Sequence, residues 1–138
     1  MESQESKPEL VFSDLPEGRS FRPLEYPITR ELVQEFTDIV GDRNSLYGRN
    51  LSPPGLAAIY ARLSYLQDHT MPSGGVLAKQ EFEFHRPVAA GDILQVQAKV
   101  IESSLDEKER KRVTFLIEAR NLKREPISTI RLYAIWPK

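Results

Sequence analysis

The sequence predicts an α+β domain in which an antiparallel sheet wraps around one central helix. Three observations predict it. Apolar residues recur at helical spacing in two stretches, one from Thr29 and one from Ser52. From Gly75 onward they recur at every second residue instead, the period of a half-buried strand. The links between these later segments are short, which favours antiparallel neighbours.

The elements follow in order. The first nine residues hold no apolar side chain after Met1. Residues 1–19 are therefore expected to form a disordered or loosely ordered tail before a single domain over 20–138. Ser20 to Pro27 places Phe21, Leu24 and Tyr26 between prolines and reads as a short extended or edge segment. Leu32, Val33, Phe36, Ile39 and Val40 then mark one face of a helix. Thr29 suits its N-cap, Glu31 its positive end and Gly41 its stop. The polar stretch 42–51 reads as a loop.

A second helix is expected from Ser52, with Ser52 as cap and Pro53 at the first helical position, where its missing donor would be unpaired anyway. Leu56, Ile59, Tyr60, Leu63 and Leu66 give it a broad apolar face, with Ala57, Ala58 and Ala61 between them. It ends before the run His69 to Gly75. Four strands follow, around Val76–Phe84, Leu94–Val100, Val113–Ala119 and Ile130–Trp136. Taken in sequence they form an antiparallel meander, with Ser20–Pro27 as a possible extra strand. One face of that sheet is apolar and must be covered, and the second helix is the natural cover. A sheet wrapped around one long helix is a hot-dog-like arrangement.

Composition narrows the function. The chain has 138 residues, with 19 Lys+Arg, 20 Asp+Glu, 2 His and no Cys. That length suits one domain that folds without disulfides. The lack of cysteine excludes thiol chemistry and every Cys-based metal site, and two histidines cannot build a three-His site. No cofactor is expected. A net charge of -1 argues against a nucleic-acid partner. The longest apolar run, Leu56 to Ala61, is far short of the roughly 20 residues that cross a bilayer. The opening MESQESKPE is polar and acidic, unlike a signal or transit peptide. The expectation is a soluble, cytoplasmic domain without a membrane partner.

The sequence holds no GxGxxG, P-loop, GxSxG or HExxH. Two local features stand out instead. Gly41-Asp42-Arg43-Asn44-Ser45-Leu46-Tyr47 gathers a carboxylate, an amide and a phenol directly after a helix. Turn chemistry alone explains such a run, because Asp and Asn favour turns. Ser52-Pro53-Pro54-Gly55 opens the second helix. A helix start offers free N–H donors and about half a positive charge. A glycine there lets a ligand approach the backbone. Such a place can hold a carbonyl oxygen that becomes an oxyanion, or it can simply be a stiff helix start.

These features, from Ile28 to Ala61, resemble the MaoC-like acyl dehydratases, the (R)-specific enoyl-thioester hydratases of hot-dog fold. The family's motif reads Gly-Asp-x-Asn-Pro-(apolar)-His, and a helix start with a glycine follows downstream. Here Gly41-Asp42-Arg43-Asn44-Ser45-Leu46-Tyr47 is similar to the first, and Pro53-Pro54-Gly55 to the second. Phe84-His85-Arg86-Pro87-Val88-Ala89-Ala90-Gly91-Asp92 resembles the family's Arg-Pro-x-x-x-Gly-Asp strand-turn element. The resemblance spans roughly residues 20 to 136.

The resemblance implies a mechanism. Asp and His of the motif hold and activate the water that adds to an enoyl thioester. The glycine N–H polarises the thioester carbonyl, a contribution of about 3 kcal/mol to the barrier. By position Asp42 keeps the acid/base place and Gly55 the oxyanion place, with Asn44 and Pro54 beside the substrate. Tyr47 stands where the family has His, and Ser45 where it has Pro. A phenol with pKa near ~10 is a poor base at neutral pH, whereas His titrates near ~6.5. The Pro-Pro-Gly form also resembles a non-catalytic branch that pairs with a catalytic hot-dog partner.

The implied function is a subunit of an (R)-specific enoyl-thioester hydratase or 3-hydroxyacyl-thioester dehydratase. It would bind an acyl-CoA or acyl-carrier-protein thioester while a catalytic hot-dog subunit supplies Asp and His. Two alternatives stand beside it. One is a self-sufficient hydratase using Asp42 with Tyr47; the other is a non-enzymatic acyl-CoA or lipid binding module. Either a homodimer or a heterodimer is expected, since a small sheet has open edges that pairing removes. His85 is either a surface residue or a contact to the thioester carrier or a subunit interface. The basic run Lys108 to Arg112 follows Asp106-Glu107 and reads as a solvated hairpin, or as a contact for the coenzyme's phosphates. Trp136 and Tyr133 read as packing residues.

Overall fold

The structure is a computed structural model that describes residues 7–40 and 56–138, apart from the side chains of residues 36–40. Strands β1 (Leu24–Pro27), β2 (Val76–Phe84), β3 (Ile93–Leu105), β4 (Lys111–Arg120) and β5 (Pro126–Trp136) form one sheet with helices α1 (Arg30–Val40) and α2 (Leu56–Tyr65). The sheet order is β1-β3-β4-β5-β2, and every neighbouring pair is antiparallel. The extra strand expected before the helices is present as β1.

The meander expected from four consecutive strands holds only for β3, β4 and β5. β2 lies beside β5 at the edge, with Phe82 opposite Ile130 and Phe84 opposite Ser128. The side of β3 that β2 would need is occupied by β1, where Leu24 faces Val96 and Tyr26 faces Leu94. The link between β2 and β3 is tied elsewhere. The Gly91 N–H donates to the Ile28 carbonyl at 2.7 Å, and the Ile28 N–H to the Asp92 carbonyl at 2.8 Å. Gly91 has φ +102, a conformation that favours glycine.

One face of the sheet carries the core. Leu94, Val96, Ala98 and Val100 of β3 line up with Val113, Phe115, Ile117 and Ala119 of β4, and Ile130, Leu132 and Trp136 of β5 continue the layer. α2 packs over β3 and β1 on this face. Its buried residues are Leu56, Ala57, Tyr60, Ala61, Ser64 and Tyr65. The expected apolar face is therefore corrected: Ile59 and Leu63 are 40% and 43% exposed, Ala57 and Ala61 go inward, and Ala58 is exposed. Small side chains let the helix axis approach the sheet, and Tyr65 stacks on Phe115 with ring centroids 4.3 Å apart.

The N-terminal segment also differs from the loose tail expected over 1–19. From Lys7 onward it packs as part of the domain. Leu10 and Leu15 are fully buried, and the Trp136 indole N–H donates to the Leu10 carbonyl at 2.7 Å. Leu10 and Thr70 exchange with that segment through Leu10 N–H to Thr70 O and Thr70 N–H to Pro8 O, both 2.9 Å. Burying one leucine is worth about 2 kcal/mol, so Leu10 and Leu15 together with these hydrogen bonds offset part of the entropy lost on ordering the segment.

α1 starts as its sequence predicts, with the Leu32 N–H donating to the Thr29 hydroxyl at 3.0 Å. The basic run 108–112 sits at the β3–β4 hairpin. There Asp106 accepts from the backbone N–H groups of Lys108 and Arg110 and from the guanidinium groups of Arg110 and Arg112, at 2.7–2.9 Å. Tyr133 is not a core residue as expected; it is half-buried and donates to Glu81 at 2.8 Å.

Candidate functional site

Five of the six residues singled out from sequence, Asp42, Asn44, Tyr47, Pro54 and Gly55, lie outside the described residues. What surrounds their flanks is described on both sides. The helix that follows Gly55 begins with Leu56 and Ala57, 1% and 2% exposed. The front of α2 therefore runs into the sheet, and the first two residues after the glycine face protein. The helix that precedes Asp42 is anchored at its other end by Thr29 and Ile28.

That anchor is where the Arg-Pro-x-x-x-Gly-Asp element acts. Asp92 closes its own turn by accepting from the Ala89 N–H at 2.9 Å, while the Asp92 N–H donates to the Ala89 carbonyl at 3.0 Å. The turn then grips Ile28, 1% exposed, through its two backbone bonds. Ile28 immediately precedes the Thr29 cap. The element thus fixes the origin of α1, whose far end leads to Gly41 and Asp42. Its chemistry is positional: backbone amides, one carboxylate and one glycine set the entry of the helix.

A buried hydroxyl pair sits one turn into α2. The Tyr60 and Ser128 oxygens are 2.6 Å apart, and the residues are 3% and 1% exposed. Either hydroxyl can donate. Tyr60 also meets Tyr26 of β1 edge-on, with ring centroids 5.6 Å apart. Burial pushes the Tyr60 phenol up from its ordinary value, against the opposite pull of the Ser128 hydrogen bond. Burial also raises Tyr26. Both phenols are neutral hydrogen-bonding groups near neutral pH. The sequence reading placed Tyr60 only on an apolar face. The available signal was a phenol amid alanines on a buried helix, which needs a partner; nothing local marked Ser128 as that partner.

Beyond Ser128 the same face continues onto β2. Phe84 lies opposite Ser128, and its ring stacks with that of Phe82 at 6.0 Å. Phe84 is 49% exposed.

His85 is placed on the other side. Its Nε2 lies 2.9 Å from the Thr129 hydroxyl, and its backbone N–H donates to the Ile127 carbonyl at 2.8 Å. Ser128 faces α2, so its neighbour Thr129 points to the opposite face of the sheet. The structure thus does not bring His85 to the α2 side. Next to it the exposed Arg86 pairs with the half-buried Glu125 at 3.2 Å. Among the described residues there is no group of three or more His, Asp or Glu side chains that could hold a metal ion, and no helix is long and apolar enough to cross a membrane.

A five-stranded antiparallel sheet of order β1-β3-β4-β5-β2 with a helix laid in its apolar face is a hot-dog fold. Solved structures with this fold include an R-hydratase, PhaJ1 from Pseudomonas aeruginosa, in its unliganded form. It matches with a TM-score of 0.73 and 22% identity, over 94% of this chain and 87% of that one. A MaoC-like dehydratase from Rhodospirillum rubrum matches with a TM-score of 0.71 and 18% identity, over 94% and 98%. The HadBC complex of Mycobacterium tuberculosis, a 3R-hydroxyacyl-ACP dehydratase, matches with a TM-score of 0.67 and 19% identity, over 86% and 96%. At these identities the likeness is one of fold. No family model matches the chain, and no curated protein matches it in sequence.

Proposed function

We propose that this chain is a MaoC-like subunit of an (R)-specific enoyl-thioester hydratase or 3-hydroxyacyl-thioester dehydratase. It binds an acyl thioester of coenzyme A or of a carrier protein. The observation that carries the reading is the burial of Leu56 and Ala57 directly after Pro53-Pro54-Gly55. A helix start that enters the core aims its free N–H groups at an enclosed carbonyl rather than at bulk water, where they would be worth little.

In the hydration direction, water adds its oxygen to the β-carbon of the enoyl thioester and a proton is delivered to the α-carbon. The negative charge that builds on the thioester oxygen in between falls to the Gly55 N–H. Asp42 holds the acid/base place, with Asn44 and Pro54 lining it. Tyr47 replaces the histidine that would move the proton, so a second hot-dog subunit supplies a complete Asp/His pair. HadBC, which shares the fold, is a complex, as is ChsH1–ChsH2 from the same organism. His85, on the outer face, is a contact for the thioester carrier or for a subunit surface. The site is cytoplasmic.

The test is co-expression of the full chain with candidate catalytic hot-dog subunits, followed by a crotonyl-CoA hydration assay. A co-purifying partner that turns over crotonyl-CoA only with this chain present is the expected result. Absence of both co-purification and restored turnover across those partners sinks the reading.

A further inference from the structure

A lysine ends the apolar row of β4. Val113, Phe115, Ile117 and Ala119 face the core and are at most 1% exposed. Lys111 holds the next position of that row, opposite the buried Trp136 of β5. An ammonium on a core-facing position needs a counter-charge or water. The neighbours Arg110 and Arg112 both pair with Asp106. Lys111, between them, has no carboxylate partner among the described residues. Its Nζ lies 5.7 Å from the centre of the Phe12 ring, a weak cation–π contact.

Lys111 lines a cavity of about 340 Å³. Segments far apart in sequence form its walls. The N-terminal strap gives Val11 and Phe12, the α2–β2 link gives Pro72, and the end of β5 gives Trp136 and then Pro137. The volume is at the small end for ligand sites, and an apolar wall with a few convergent polar groups is their usual character. The place is separate from the candidate acyl site. Tyr60, one turn into α2, meets Ser128, whereas the cavity lies at Trp136, near the other end of β5. At the usual strand rise those two residues are about 25 Å apart.

We propose that this cavity binds a small monocarboxylate with an apolar body, the carboxylate pairing with the Lys111 ammonium and the body lying against Val11, Phe12 and Pro137. The anion supplies the counter-charge that Lys111 lacks. Lys138 and Ser73, on the same wall, are further donors, and Glu9 there disfavours a doubly charged anion. The apolar body follows from the strap and proline side chains, which a bare inorganic ion would leave wet. Such a site goes beyond the proposed hydratase function and belongs to no step of it.

Trp136 is the only tryptophan of the chain, so its fluorescence reports the cavity directly. The full chain is titrated with hexanoate, cyclohexanecarboxylate, hexanol and inorganic phosphate, and thermal midpoints are taken alongside. The two carboxylates should give a saturable fluorescence change and a raised midpoint. Hexanol and phosphate should give neither. Lys111→Met keeps the apolar stem and should weaken the carboxylates by about tenfold. Val11→Glu, at a residue 43% exposed, should weaken them as much by adding a negative charge to the wall. Absence of saturable binding by either carboxylate overturns the proposal. So does equal binding of hexanol or phosphate, or unchanged affinity in the two variants when both keep the parent urea midpoint. No partner subunit and no turnover enter these readouts, so their outcome is independent of the hydratase reading.

Discussion

β3 and β2 carry the same two-residue apolar rhythm, and the domain treats them in opposite ways. Leu94, Val96, Ala98 and Val100 of β3 are each 0% exposed, while β2 buries no residue fully. β3 has β1 and β4 on its flanks and α2 above it. β2 has β5 on one side and, among the described residues, nothing on the other. Alternation in a sequence therefore specifies which side chains share a face. Whether that face is dry is decided by what the topology stacks on it.

The sharpest way to break this comparison is to make the same change in both strands. Leu94→Ala should destabilise the protein by about 2–5 kcal/mol, because it empties a fully enclosed site. Leu77→Ala, at a half-exposed site, should stay within about 0.5 kcal/mol in dilute solution. Urea midpoints measure both. Equal losses would mean that β2 is covered as completely as β3. A loss at Leu77 that grows with protein concentration would instead mark self-association that covers this strand, since association stabilises by mass action.

The same distinction explains what could be read in advance. The Thr29 cap, the three-strand run β3–β4–β5 and the buried second helix were all legible, because each rests on local period or capping chemistry. The place of β2 was not, because antiparallel pairing with β5 joins residues about fifty positions apart and leaves no local trace. The α2 face was misjudged for a related reason. Hydrophobicity favoured Ile59 and Leu63, whereas close packing favoured Ala57 and Ala61. Leu10 and Leu15 escaped notice because the polar stretch before Leu10 suggested a tail, although Leu10-Val11-Phe12 is itself an apolar run. For the candidate site, the Arg-Pro-x-x-x-Gly-Asp element was legible as a motif, but its grip on Ile28 is a tertiary fact. His85 was legible as a strand-end residue and not as one on the far face.

A second contrast lies within β5, between adjacent hydroxyls on opposite faces. Ser128 is buried against Tyr60, and Thr129 meets the exposed His85. Tyr60→Phe should lower stability by about 1–2 kcal/mol, since it removes one buried hydrogen bond and leaves the Ser128 hydroxyl unpaired. Ser128→Ala should act similarly. The double variant should lose less than the sum, with a coupling of about 1 kcal/mol in a double-mutant cycle. Thr129→Ala should change little by comparison. An additive Tyr60/Ser128 cycle would show that the 2.6 Å contact carries no energy of its own.

The smallest effect separates the two strands by how their ends are held. β3 turns into β4 around Asp106, whereas β2 leaves the sheet through a turn tied to Ile28. Desolvation alone would raise the Asp106 acid. The N–H groups of Arg110 and Lys108 and the guanidinium groups of Arg110 and Arg112 outweigh it and hold the carboxyl well below the usual carboxylate range. A depressed folded-state value means the unfolded chain takes up this proton first. The stabilisation is then complete above the ordinary carboxylate value of about 4 and is lost as the pH falls below it towards the depressed value. Asp106→Asn should accordingly be less stable than the parent chain near neutral pH, with the gap closing in acid. Urea midpoints taken across that range test it. A gap that persists unchanged below pH ~3 would mean that the hairpin depends on the shape of the Asp106 side chain rather than on its charge.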